Sequence, residues 1–217
     1  MLSEFKKKVK LASGIHTLNL DNVKIRNAEQ KDVEGIYHVA SSVGKKAKDA
    51  MQGYLMDDYT SDPEGYKEKF RTAVDVSDFF YVAEYIDPEY RAIVGFTFGF
   101  RKENWLKLNP EWSEDNYFRP DFNKEWLDNF MMLDKIAVLD RFKRQGVGSM
   151  LSKRLIRDIK GEGIFDIFEE VIIAPVPNLP SVLFKKKRNF MLASVRYEEH
   201  NNKILTTLVY HRKLKKI

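Results

Sequence analysis

Cysteine is absent from the 217 residues, which removes disulfides, thiolate-held zinc and a cysteine nucleophile from consideration. Histidine is scarce. His16, His38, His200 and His211 stand far apart, without the spacing that brings two imidazoles to one ion, and no metal is expected. Long apolar runs are also missing. None approaches the ~20 residues of a membrane-spanning helix, and residues 1–10 carry too much charge for a secretory leader. These absences lead to the expectation of a soluble, cytoplasmic protein without a membrane partner.

What is present fits one globular domain. Hydrophobic residues make up 43% of the chain, an ordinary share, and the length suits a single core carrying an insertion. The most informative stretch runs from Asp134 to Ser149. Residues 130–139 form an apolar run of strand length, and Met150, Leu151, Leu155, Ile156 and Ile159 then recur at helical spacing up to Gly161 and Gly163. Between them lies the basic turn Lys143-Arg144-Gln145-Gly146-Val147-Gly148. A glycine turn at a helix start offers unpartnered N–H groups and a positive dipole end, a geometry suited to a pyrophosphate. The dinucleotide pattern G-x-G-x-x-G fails because Leu151 holds the third glycine's place. The nucleoside-triphosphate loop fails because Ser149-Met150 follows Gly148.

With its flanks, the segment from Val138 to Gly148 resembles the acetyl-coenzyme A signature of the GNAT acyltransferase superfamily, [Gln/Arg]-x-x-Gly-x-[Gly/Ala], with Lys143 in the place usually held by Arg or Gln. A second block, Asn178-x-x-Ser181-x-x-Phe184 with Asn189-Phe190, resembles the family's Asn-x-x-Ala-x-x-Leu-Tyr-x-x-x-Gly-Phe segment. It follows the apolar strand Val171-Ile-Ile-Ala-Pro175. Val23 to Asp32, followed by Val33 and Ile36, looks like the opening strand and first helix of such a domain. The resemblance covers residues 23–213. It implies a mixed α/β fold with a mostly antiparallel sheet of about six or seven strands flanked by helices, residues 1–22 forming an extension and residues 102–128 an insertion.

The same resemblance implies acetyl-CoA as cosubstrate and a primary amine as acceptor, attacked directly without a covalent enzyme intermediate. Pantetheine would pair with the strand at Ile136, Ala137 and Val138, and a backbone N–H near Val138 would face the oxyanion. The phosphates would lie on Lys143, Arg144, Gln145, Gly146, Val147, Gly148 and Ser149, with Asn178 and Ser181 on the cofactor side. An amine must be neutral to attack, so a carboxylate base is expected. Asp134 is the first candidate, beside the alternative of an ordinary contact to Lys135, and Glu103 and Asp128 follow. The tyrosine that commonly protonates the leaving thiolate is replaced by Lys185, which either donates that proton or only contacts phosphate or solvent. Tyr197 is a further donor.

The charge of +5 is unevenly spread. Residues 102–128 hold four bases against seven acids, a net of −3, which leaves +8 elsewhere. A cofactor with three phosphates accounts for part of that positive charge, so nucleic acid is disfavoured as a partner. The insertion carries Trp105, Trp112, Tyr117, Phe118 and Trp126. It reads either as a satellite cluster packed on the sheet or as a lid whose rings and acids attract a cationic small-molecule or peptide amine. Segments 79–85 and 92–100 predict a hairpin, residues 45–74 a helix broken at Ser61-Asp62-Pro63, and segments 190–198 and 204–211 two antiparallel strands. A CoA-binding regulatory module without turnover is the alternative to an enzyme, and a homodimer is one of the oligomeric states left open.

Overall fold

The computed structural model describes residues 19–200 and 202–215; most of the expected N-terminal extension lies outside them. Period-two runs of aromatic and β-branched residues form the strands β1 (Val23–Asn27), β2 (Phe79–Ile86), β3 (Arg91–Arg101), β4 (Asn116–Phe118), β5 (Phe130–Val138), β6 (Asp166–Ala174), β7 (Met191–His200) and β8 (Lys203–Lys213). Among the described residues these eight make one sheet in the order β1-β2-β3-β5-β6-β8-β7-β4. Each neighbouring pair is antiparallel except β5 and β6. The mixed, mostly antiparallel architecture is as expected, with one strand more than the upper count. The extra strand is β4, which arises inside the insertion and pairs with β7 through Asn116 and Arg196.

Among the described residues five helices cover the sheet: α1 (Val33–Val43), α2 (Pro63–Val76), α3 (Lys102–Leu108), α4 (Val147–Gly161) and α5 (Leu179–Lys187). In α1 the buried residues Val33, Ile36, Val39 and Ala40 form one stripe against β3 and β5. Asp62 caps α2 by accepting from the Gly65 N–H at 3.1 Å, with Pro63 just inside the helix. The α1 and α2 side carries the aromatic core, and α4 packs on the opposite face against β1, β2, β3 and β5.

Helix over residues 45–62 is not found. Lys48 explains the difference, since its ammonium donates to the carbonyls of Lys45, Leu55 and Asp57 and so fixes an irregular loop. This α1–α2 loop also bonds back to the end of α1, from Leu55 N–H to Val43 and from Tyr59 N–H to Gly44. The insertion packs on the sheet, and its buried rings belong to the main core, not to a satellite of it. Trp105 and Trp112 are buried in the main core, where Trp112 meets Phe130 and Phe168 at ring distances of 5.5 and 5.9 Å.

Candidate active site

A sheet parts only where a strand loses its partner. β5 pairs with β6 from Phe130 to Leu133, opposite Asp166 to Glu169, and pairing stops there. On its other edge the β3 register shifts between Phe98 and Gly99, so Asp134 is the extra residue of a bulge, and bulges bend the strand that carries them. Gly99 makes the bulge possible, because a Cβ there would lie 2.5 Å from the Met132 carbonyl oxygen. Beyond the bulge Ile136, Ala137 and Val138 keep one edge free of β6, and that edge lines a cavity of about 540 Å³.

The basic turn closes one end of this cavity. Its backbone enters the left-handed region at Arg144 (φ 62°) and at Gly146 (φ 99°), the second being costly for any residue with a Cβ. The Gly146 carbonyl accepts a helical bond from Met150 N–H at 3.0 Å, and the first-turn amides of a helix have no intrahelical partner. A Cβ on Gly148 would meet nothing nearer than Val138 Cγ2 at 3.8 Å, so the space above it belongs to the cavity. The fit to a phosphate-bearing ligand rests on that open space. Arg144 lines the same space and makes no ion pair among the described residues. Lys143, in the position usually held by Arg or Gln, bonds Asp140 at 2.6 Å and the Gln52 carbonyl at 3.0 Å, fastening the α1–α2 loop across the cavity. Gln145 donates to the Arg141 carbonyl at 2.7 Å, Val147 is buried in the core and Ser149 is half-buried at the helix start.

The opposite wall comes from α5. Ser181, Phe184 and Lys185 face the cavity. Asn178 is buried and reaches the cavity indirectly: its Nδ2 donates to the Tyr54 carbonyl at 2.8 Å and its Oδ1 caps α5 at Ser181 N–H, 3.4 Å. Tyr54 in turn donates its hydroxyl to the Val176 carbonyl. Lys185 is 4% exposed and its ammonium forms an ion pair with the equally buried Glu169 of β6. Burial pushes the Lys185 ammonium down to about 7; in general a carboxylate beside an ammonium favours its charged form. The contact Lys185 makes in the structure is thus with Glu169, and its side chain is shut off from bulk solvent.

Strand residues alternate between faces, and Glu170, next to Glu169, serves the other side. It accepts from Trp112 Nε1 at 2.7 Å and from Arg196 at 3.3 Å. Burial raises its carboxyl above the ordinary glutamate value, against the pull of Arg196 and Trp112, and the charges of Glu198 and Asp134 add to the rise. Asp134 is half-buried and pairs with Lys135 at 2.9 Å, the ordinary contact weighed in the sequence. Burial alone would lower Lys135, but Asp134, Asp57 and Glu170 outweigh it and hold the ammonium above its usual value. Asp57, Asp134 and Glu170 thus gather at the parting of the strands. Glu103 and Asp128 are exposed at the ends of the insertion, and Tyr197 is exposed and packs on Tyr117 at 6.0 Å. Sequence reasoning missed Glu169 and Glu170. Two acids inside an apolar strand were the available signal, since a buried carboxylate needs a partner.

No family model matches the chain, and no curated protein does. Solved structures match over most of its length, and their shared fold is that of the GNAT N-acetyltransferases. NAA60 of Arabidopsis thaliana, solved with a bisubstrate analogue, is 13% identical with a TM-score of 0.58, covering 90% of this chain and 99% of its own. The PaiA N-acetyltransferase of Thermoplasma acidophilum, solved with coenzyme A, is 16% identical with a TM-score of 0.56, covering 88% and 98%. The ribosomal-protein-S18-alanine N-acetyltransferase of Escherichia coli is 14% identical with a TM-score of 0.55, covering 89% and 94%. At such identities the likeness is one of fold.

Proposed function

We propose that the protein is an N-acetyltransferase that moves the acetyl group of acetyl-CoA to a primary amine by direct attack. The observation that carries the reading is the cavity at the parting of β5 and β6, bounded at one end by the glycine turn and the start of α4. Acetyl-CoA would supply the activated acyl group as a thioester. The turn amides and Arg144 would hold its phosphates, and the free edge from Ile136 to Val138 would bond the amides of its arm. Among the acids, Glu170 suits the base best, because burial shifts its carboxyl toward the range in which a base works near neutral pH. Asp134, engaged by Lys135, adds negative charge that favours a cationic acceptor. Lys185, which lines the cavity, would donate the proton to the leaving thiolate.

Thiol release from acetyl-CoA with a panel of peptide N-termini, polyamines, aminoglycosides and lysine analogues tests this reading. Amine-dependent release supports it. Tight CoA binding with no release across the panel would favour the regulatory module instead.

A further inference from the structure

We propose that Glu169 holds Lys185 in its ammonium form inside the cofactor cavity, so that the pair, and not the lysine alone, furnishes the proton taken up by the leaving thiolate. The proposal rests on the acetyltransferase reading. Lys185 and Glu169 have side chains 4% and 3% exposed and contact one another directly, while Lys185 also lines the cavity. Phe184 and Phe190 place their rings 5.5 and 5.6 Å from the ammonium, leaving little water to solvate it. An isolated lysine in that setting would shed its proton.

The neighbouring charges do not supply a substitute for Glu169. On α5 they are Lys186 and Lys187, just past its end Arg188, and on β8 Arg212, whose guanidinium lies 5.9 Å from the Phe190 ring. All of these oppose a second positive charge. The turn across the cavity brings Lys143 and Arg144, and its Asp140 is already paired with Lys143. A pair kept only for packing would gain nothing over two apolar side chains, whereas this one opens onto the space where the thioester fits.

The step balances. The amine nitrogen forms its bond to the acetyl carbon as the carbon–sulfur bond breaks. An N–H bond of Lys185 breaks and an S–H bond forms, leaving a neutral amine still bonded to Glu169. Glu170 passes the acceptor's proton to solvent, and Lys185 regains one from solvent.

The test follows the ε-carbon resonance of Lys185 by NMR across pH in ligand-free protein labelled with ¹³C-lysine, assigned by its loss in Lys185→Arg. The expected result is a higher midpoint in the wild type than in Glu169→Gln, because removing the carboxylate leaves the effect of burial unopposed. The alkaline limb of saturated turnover should move to lower pH in the same variant, and Glu169→Asp should restore part of it. Equal midpoints in wild type and Glu169→Gln would overturn the proposal. Should Glu169→Gln fail to fold, a wild-type Lys185 that is neutral at pH 7 overturns it equally. A wild type without thiol release on any amine counts against the acetyltransferase reading, and coincident midpoints count against the pair whatever the activity.

Discussion

Glu169 and Glu170 are neighbours on one strand, yet their surroundings differ in kind. Glu169 looks toward α5 and meets a single lysine among phenylalanine rings. Glu170 looks toward the insertion and is shared by an indole N–H and a guanidinium, with two further acids nearby. On the first face the carboxylate serves to keep a partner charged. On the second, burial and like charge make the carboxyl itself more basic. Adjacent positions on β6 thus supply opposite proton chemistry to the two sides of one opening.

The sharpest way to break this comparison is to neutralise the acceptor face. Glu170→Gln preserves shape and the Trp112 bond but removes the proposed base, and turnover should fall about 10²–10⁴-fold while the dissociation constant for acetyl-CoA stays near that of the wild type. Stability should move the other way. A carboxyl raised in the folded protein is a penalty that grows as pH climbs above its unfolded value, so the variant should gain in melting temperature relative to wild type from pH 5 to pH 8. Calorimetry across that range checks the sign, and a loss of stability would mean that Glu170 is chiefly structural.

The cofactor face can be filled instead. Gly148→Leu places its side chain in open space, with no protein atom closer than 3.8 Å to the new Cβ. The domain should fold normally and lose CoA affinity by about a hundredfold or more, roughly 3 kcal/mol, as measured by calorimetric titration. Gly146 cannot give so clean an answer, because its φ of 99° strains any replacement. Unchanged affinity in folded Gly148→Leu would move the phosphates away from this turn.

Asn178 should give a smaller effect, and one that is indirect. Asn178→Ala frees the Tyr54 carbonyl and uncaps α5, which costs about 1 kcal/mol of stability, and CoA affinity should weaken by about tenfold at most. The change should be the same for every acceptor, since Tyr54 lines the cofactor cavity. Kinetics with two unlike amines separates this from a direct role in the acceptor pocket.

How legible each face was in the sequence follows from how it is built. The turn is local: Gly146 and Gly148 sit in one segment between a strand and a helix, so their spacing announced the helix start that lines the cavity. Hairpin partners such as Val82 and Phe96 were equally readable from alternation and a short loop. Glu170 is different, since Trp112, Arg196 and Asp134 come to it from three separate segments and no spacing relates them. The loop over residues 45–62 misled for a similar reason. Its order depends on Lys48 satisfying three carbonyls, a tertiary arrangement that helix propensity does not register.

A third carboxylate, remote from both faces, sharpens the contrast at the lowest cost. Glu84 on β2 bonds Arg91 at 2.6 Å and Arg26 at 3.0 Å, and Arg26 also grips Asp32 at 2.6 Å. The two guanidinium bonds hold the Glu84 carboxyl down at about 2, the reverse of Glu170. A carboxyl lowered in the folded protein contributes stability above its unfolded value of 4.5, and that contribution drains away as pH falls toward 2. Arg91 is largely exposed, so solvent screening reduces the gain to about 1 kcal/mol. Glu84→Gln should therefore be slightly less stable than wild type at pH 7, match it near pH 2, and leave turnover untouched. Urea denaturation at both pH values measures the difference, and a gap that persists at pH 2 would trace the loss to packing instead of charge.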